Sequence, residues 1–79
     1  MTIEDRVKDV VITTLKIRPE QYSPDLAAGD LPQWDSLGHV RVLQATEEAF
    51  DLSFDVGDAI AIEDVSDLVE TVRRYQSAP

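Results

Sequence analysis

The chain has 79 residues, of which 16 are acidic and 7 basic, for a formal net charge of −9, and 43% of it is hydrophobic. A length of this kind holds one small domain, expected to span residues 1–79, whose core hides on the order of 60% of the unfolded surface and leaves little room for an enclosed catalytic cleft. The charge disfavours nucleic acid and anionic membrane as partners, the hydrophobic share is too high for a disordered acidic tail, and the lack of cysteine removes thiol, disulfide and thiolate-metal chemistry from the chain itself.

Thr2, with Asp5 three residues on, reads as the N-cap of a first helix. That helix carries Ile3, Val7, Val10, Val11 and Leu15 at helical spacing, and Arg18-Pro19 reads as its stop. Residues 1–6 contain no basic region leading into an apolar run, and nothing in the chain approaches the roughly 18 apolar residues of a membrane span, so a cytoplasmic location is expected. From Pro19 to Pro32 the chain is punctuated by Pro24 and Gly29, which makes a connection longer than most between helices. Such a loop has to pack, and Leu26, Ala27, Ala28 and Leu31 are available to pin it.

A second helix is expected from near Ser36 to about Phe50, with Val40, Leu43, Thr46 and Phe50 along one stripe and Leu37, Val42 and Ala45 widening it. Glu47, Glu48 and Asp51 crowd its far end, where the helix dipole disfavours acids, so solvation or a partner accounts for them better than local stability does. Beyond Leu52-Ser53-Phe54, residues 55–61 suffice only for a short helix containing Ala59 and Ile60, with Ile62 following as an anchor. Asp64 then caps a last helix over 65–74, striped by Val65, Leu68, Val69 and Val72 and ending on Arg73 and Arg74, which suit its C-terminal dipole. Gln76-Ser77-Ala78-Pro79 is expected to fray. The sum is an all-α protein: a small four-helix bundle of three main helices and one short third helix, with a long loop between helices I and II.

The most specific local signal is Trp34-Asp35-Ser36-Leu37-Gly38-His39-Val40, at the point where the loop gives way to the second helix. With Asp35 as N-cap, Ser36 falls in the first turn, where backbone N–H groups lack intrahelical partners and the dipole is positive. A phosphate ester suits that position. The order of helix I, long loop, Asp35-Ser36-Leu37, Glu47-Glu48 before Phe50-Asp51, short third helix and Val/Leu-striped fourth resembles the acyl carrier protein family over essentially the whole chain.

That resemblance implies a non-catalytic carrier. Ser36, flanked by Asp35 and Leu37, would bear a covalent 4′-phosphopantetheine drawn from coenzyme A, whose thiol holds acyl intermediates as thioesters. It implies a phosphopantetheinyl transferase as a partner, together with acyl- or aminoacyl-loading enzymes, ketosynthases or other acyl-transferring enzymes, and a monomeric state. Partner contacts would fall on Leu37, Arg41, Glu47, Glu48, Asp55 and Asp58. An acyl chain entering between helices II and III would meet Val40, Leu43, Thr46, Phe54, Ala59, Ile62 and Leu68. Gly38, His39 and Arg41 stand where carriers of primary fatty acid synthesis usually place acids, and Trp34-Asp35-Ser36 looks more like stand-alone carriers of polyketide or aminoacyl pathways. The Gly-Gly-His-Ser arrangement of peptidyl carrier domains is absent. The pathways implied are fatty acid, polyketide or related specialised biosynthesis, or an aminoacyl/peptidyl role.

Other readings of the same residues compete. Ser36 and His39 are neighbours at i, i+3 with Asp35 adjacent, but a hydrolase needs an oxyanion site and a sheltered cleft, and no Gly-x-Ser-x-Gly elbow is present. An exposed helical histidine, able to touch a phosphate on Ser36, is the simpler account. Trp34 reads as a loop anchor or as a contact for the arm or a partner, and it matches a hydrophobic staple only in part because the N4 position is His39. Asp51, Asp55, Asp58 and Glu63 do not follow the calcium-loop pattern, so no metal site is expected. The polar Thr46 and bulky Phe54 on the acyl route point to a short or polar cargo, unless Thr46 bonds back to a helix carbonyl. The non-carrier alternative is an acidic helical protein–protein interaction module, with Ser36 a capping-region residue or a phosphorylation site.

Overall fold

The computed structural model describes residues 2–77. Four α-helices follow one another, α1 (Ile3–Leu15), α2 (Ser36–Phe50), α3 (Val56–Ala61) and α4 (Val65–Ser77), with a single 3-10 turn at Pro19–Gln21 in the long loop. The all-helical bundle expected from periodicity is the fold observed.

α1 opens on a reciprocal cap: the Thr2 hydroxyl accepts from the Asp5 amide at 3.1 Å and the Asp5 carboxylate accepts from the Thr2 amide at 3.3 Å. It ends three residues before the expected Arg18-Pro19 stop. Lys16 turns left-handed at φ 56°, and the Ile17 amide returns to the Ile12 carbonyl at 3.2 Å. This closure satisfies a terminal carbonyl and swings Ile17 into the core, where it is buried.

The inner face of α2 is not the one its apolar residues suggest. Gly38, Val42, Thr46 and Phe50 form a buried i, i+4 row, whereas Val40 and Leu37 are 48% and 58% exposed. Leu43 and Ala45 are half-buried at the margins. The reason lies at Gly38, where a Cβ would overlap the Gln33 carbonyl oxygen and stand 3.2 Å from the Leu15 side chain. The helix is rolled so that its smallest residue meets the end of α1, against which it packs.

α3 buries none of its own residues, and Val56 and Ile60 lie outward, but Ile62 immediately after it is buried. The Asp64 carboxylate caps α4 by accepting from the Asp67 amide at 2.7 Å, and Val65, Leu68, Val69 and Val72 are buried as the stripe predicts. α4 continues through Gln76 and Ser77, so these two are helical rather than frayed, while Ala78 and Pro79 lie outside the described residues. Tyr75 is what extends it. Its hydroxyl donates to Asp58 at 2.7 Å and its ring meets Phe54 edge-on at 5.4 Å between centroids, tying the last turns to α3.

One core joins Val7, Val11 and Leu15 of α1 to Val42 and Phe50 of α2 and to Val65, Leu68 and Val72 of α4. The long loop enters it through Leu26 and Trp34, with Leu31 half-buried beside them. Ala28 is exposed and pins the loop through its backbone instead, because its amide donates to the Glu63 carbonyl at 3.0 Å while the Val65 amide donates to the Leu26 carbonyl at 2.9 Å. This short antiparallel bridge, Ala27 opposite Asp64, fastens the loop before Ser36 to the junction between α3 and α4. Among the described residues no helix is long and apolar enough to cross a membrane.

Candidate functional site

Asp35 has the extended backbone of an N-cap, and its carboxylate accepts from the Gly38 amide at 2.8 Å while its carbonyl accepts from the His39 amide at 2.8 Å. The amides of Ser36 and Leu37, the first two helical residues, have no hydrogen-bond partner among the described residues. Ser36 is exposed. The geometry therefore presents one hydroxyl to solvent at the positive end of a helix with two open N–H donors beside it. Next to it lies a cleft of about 400 Å³ bordered by Ala28, Gly29, Trp34, Asp35, Ser36 and His39. Gly29 shapes its rim: at φ 93°, a left-handed conformation that suits glycine, it donates its amide to the Trp34 carbonyl at 2.8 Å.

Trp34 is fully buried, so it is a loop anchor. Its indole N–H donates to His39 Nδ1 at 2.9 Å, and the two rings lie 6.0 Å apart between centroids at 26°. His39 is accordingly half-buried and hydrogen-bonded, not the freely exposed histidine expected. The pair occupies the two positions of a hydrophobic staple, N′ and N4, with a hydrogen bond added to the stacking. A hydrolytic relay is not assembled: the Asp35 carboxylate caps Gly38, and the histidine nitrogen facing inward is occupied by Trp34.

The residues proposed to face partners divide into two groups. Leu37, Arg41 and Glu48 are exposed, with Leu37 and Arg41 on a second, smaller cleft that also touches Lys16 and Asp35. Glu47, Asp55 and Asp58 are instead committed to the fold. Glu47, whose presence sequence reasoning attributed to solvent or a partner, accepts the Phe54 amide at 2.7 Å and so shapes the turn after α2. Asp51, in that turn at φ 53°, donates its amide to the last carbonyls of α2. Asp55 caps α3 through the Asp58 amide at 2.8 Å, and its own amide donates to the Tyr75 hydroxyl at 2.9 Å. Asp58 accepts from Tyr75 at 2.7 Å and from Arg74 at 3.1 Å. The Tyr75 hydrogen bond first, and Arg74 second, hold the Asp58 carboxyl below its usual range, while donation to Asp58 pushes the Tyr75 hydroxyl up.

Of the residues on the suggested acyl route, Leu43, Phe54, Ile62 and Leu68 belong to or pack on the core, Ala59 is half-buried in α3, and Val40 lies at the surface. Thr46 is fully buried, and its hydroxyl donates to the Val42 carbonyl at 2.7 Å. With the hydroxyl satisfied, the desolvation penalty that pointed to a short or polar cargo disappears.

Sequence reasoning missed Tyr75, for which long-range pairing with Asp58 leaves no local signal. It also missed the hydrogen bond between Trp34 and His39, although their spacing was visible. The described residues make up a small acidic helical bundle that presents one exposed serine at the head of its second helix. No protein-family model matches the chain. Among curated proteins it is similar to the acyl carrier protein of Desulforapulum autotrophicum (strain ATCC 43914 / DSM 3382 / VKM B-1955 / HRM2), with 32% identity over 75 residues that cover 94% of this chain and 97% of that protein. The chain belongs to the acyl carrier protein family.

Proposed function

We propose that Ser36 is the residue through which this carrier works, holding 4′-phosphopantetheine as a phosphodiester transferred from coenzyme A by a phosphopantetheinyl transferase. The observation that carries this reading is the exposed Ser36 hydroxyl beside the amides of Ser36 and Leu37, unpartnered among the described residues, a setting whose donors and dipole suit a monoanionic phosphodiester. The group, once attached, supplies a thiol that carries acyl intermediates as thioesters between enzymes. The chain's own residues do the positioning. Asp35 starts the helix and keeps its carboxylate turned to the Gly38 amide, and Leu37 and Arg41 form the surface next to the serine that loading and acyl-transferring enzymes would meet. Arg41 and His39, in place of acids, favour a specialised biosynthetic pathway over housekeeping fatty acid synthesis.

The test is intact-mass measurement after co-expression with a broad-specificity phosphopantetheinyl transferase. Wild-type chain should gain the mass of one arm, and Ser36→Ala should gain none while its circular dichroism stays helical. Loading of Ser36→Ala at the wild-type rate would overturn the assignment, and an unmodified wild-type chain would favour the interaction-module reading.

A further inference from the structure

The fold uses one nitrogen of His39: the indole N–H of the fully buried Trp34 needs an acceptor, and His39 Nδ1 supplies it at 2.9 Å. A neutral imidazole that accepts at Nδ1 carries its proton at Nε2. Nε2 has no partner among the described residues, and no buried side-chain nitrogen or oxygen there is left unsatisfied, so this N–H reaches solvent. Helical side chains lean toward the N-terminus of their helix, which carries the ring of a residue at N4 over the first turn, and Ser36 sits three residues earlier on that face. The same ring borders the cleft that Ser36, Ala28 and Gly29 border. Ser36 and an outward N–H donor thus flank one space, with the donor's tautomer set from behind by a buried indole.

Building on the assignment of the arm to Ser36, we propose that His39 is a positioning residue for it: Trp34 fixes the Nε2–H tautomer, and that N–H donates to a phosphodiester oxygen on Ser36. The contact directs the first bonds of the arm across the cleft beside Ala28 and Gly29. Without it the phosphodiester is held only by the backbone amides of the first turn and the arm leaves Ser36 in many directions. His39 does not touch the thioester and takes no part in the acyl chemistry.

The experiment compares apo and holo protein by ¹⁵N NMR of labelled histidine and tryptophan, and holo variants by ³¹P NMR, with intact mass establishing the loaded state of each. Loading should displace the His39 Nε2 signal while leaving the Trp34 indole signal in place. The holo ³¹P line should move in His39→Ala toward that of the same phosphodiester in denaturant-unfolded holo protein. His39→Gln should restore it, because the amide oxygen can accept from Trp34 while its NH₂ donates outward. Histidine signals unmoved by loading, a ³¹P line identical in wild type and His39→Ala, or a failure of glutamine to restore a line that alanine displaces would each overturn the proposal. The wild-type comparison holds even if a variant folds poorly. A wild-type chain that gains no mass fails the Ser36 assignment itself, and the role of His39 falls with it.

Discussion

Gly38 shows how one residue decides which face of a helix is inward. In the sequence it is an uncharged position between Leu37 and His39. In the folded chain it is the contact point between α2 and the end of α1, with its amide on the Asp35 carboxylate and no room for a side chain against the Gln33 carbonyl. Its conformation is ordinary helix, so the requirement is spatial. Gly38→Ala should gain helix propensity and still lose stability, by about 1–3 kcal/mol, because backbone is the least yielding neighbour an added methyl can meet. Thermal denaturation followed at 222 nm checks this, and a raised midpoint would show that the helix can roll away freely. The displacement it forces would also be felt at Ser36, two residues before it on the same turn.

At the scale of elements, α3 is the weakest, six residues long with none of them buried, and it is held by side chains from its neighbours. Tyr75 contributes two hydrogen bonds to that hold, donating to Asp58 and accepting from the Asp55 amide, beside the one Arg74 gives Asp58. Tyr75→Phe keeps the ring against Phe54 and removes both bonds, so the thermal midpoint should fall at neutral pH. The folded-state pKa of Asp58 is lowered, chiefly by Tyr75. Its contribution is therefore present above the ordinary aspartate range and lost as pH falls through the folded value. The gap between wild type and Tyr75→Phe should accordingly narrow in acid, and a gap that widens instead would refute the account. The same tie explains what periodicity left out. Caps at Thr2, Asp35 and Asp64 were legible because capping is local, and so was the placement of Ser36. The end of α1 was not, since Lys16 adopts the left-handed turn without a glycine to mark it. Nor were the length of α4 and the duty of Asp58, which depend on partners brought close only by the finished fold, or the duty of Glu47, whose partner Phe54 lies across the irregular turn after α2. On α2, apolar residues lie on several faces and only the tight contact at Gly38 selects one.

Over the whole molecule, a net charge of −9 favours encounter with basic surfaces, mainly through the association rate and in a manner salt suppresses. Glu48 tests this cleanly because it is exposed and has no side-chain partner among the described residues. Glu48→Lys should slow loading by a cognate enzyme severalfold at low salt, with the difference fading as ionic strength rises and the unfolding free energy within roughly 0.5 kcal/mol of wild type. Equal rates at low salt would move recognition elsewhere. Glu47→Lys would confound the two effects by releasing the Phe54 amide. The bridge between Ala27 and Asp64 carries the last consequence, and it concerns the order in which the molecule is finished. The loop that presents Ser36 is closed by hydrogen bonds to residues 63 and 65, far along the chain, and long-range closures are entropically late events in folding. A nascent chain that has just emerged through α2 thus displays the Asp-Ser-Leu motif without the completed platform beneath it. A modifying enzyme that requires that platform would bypass half-made chains and act only on those that had folded to the end.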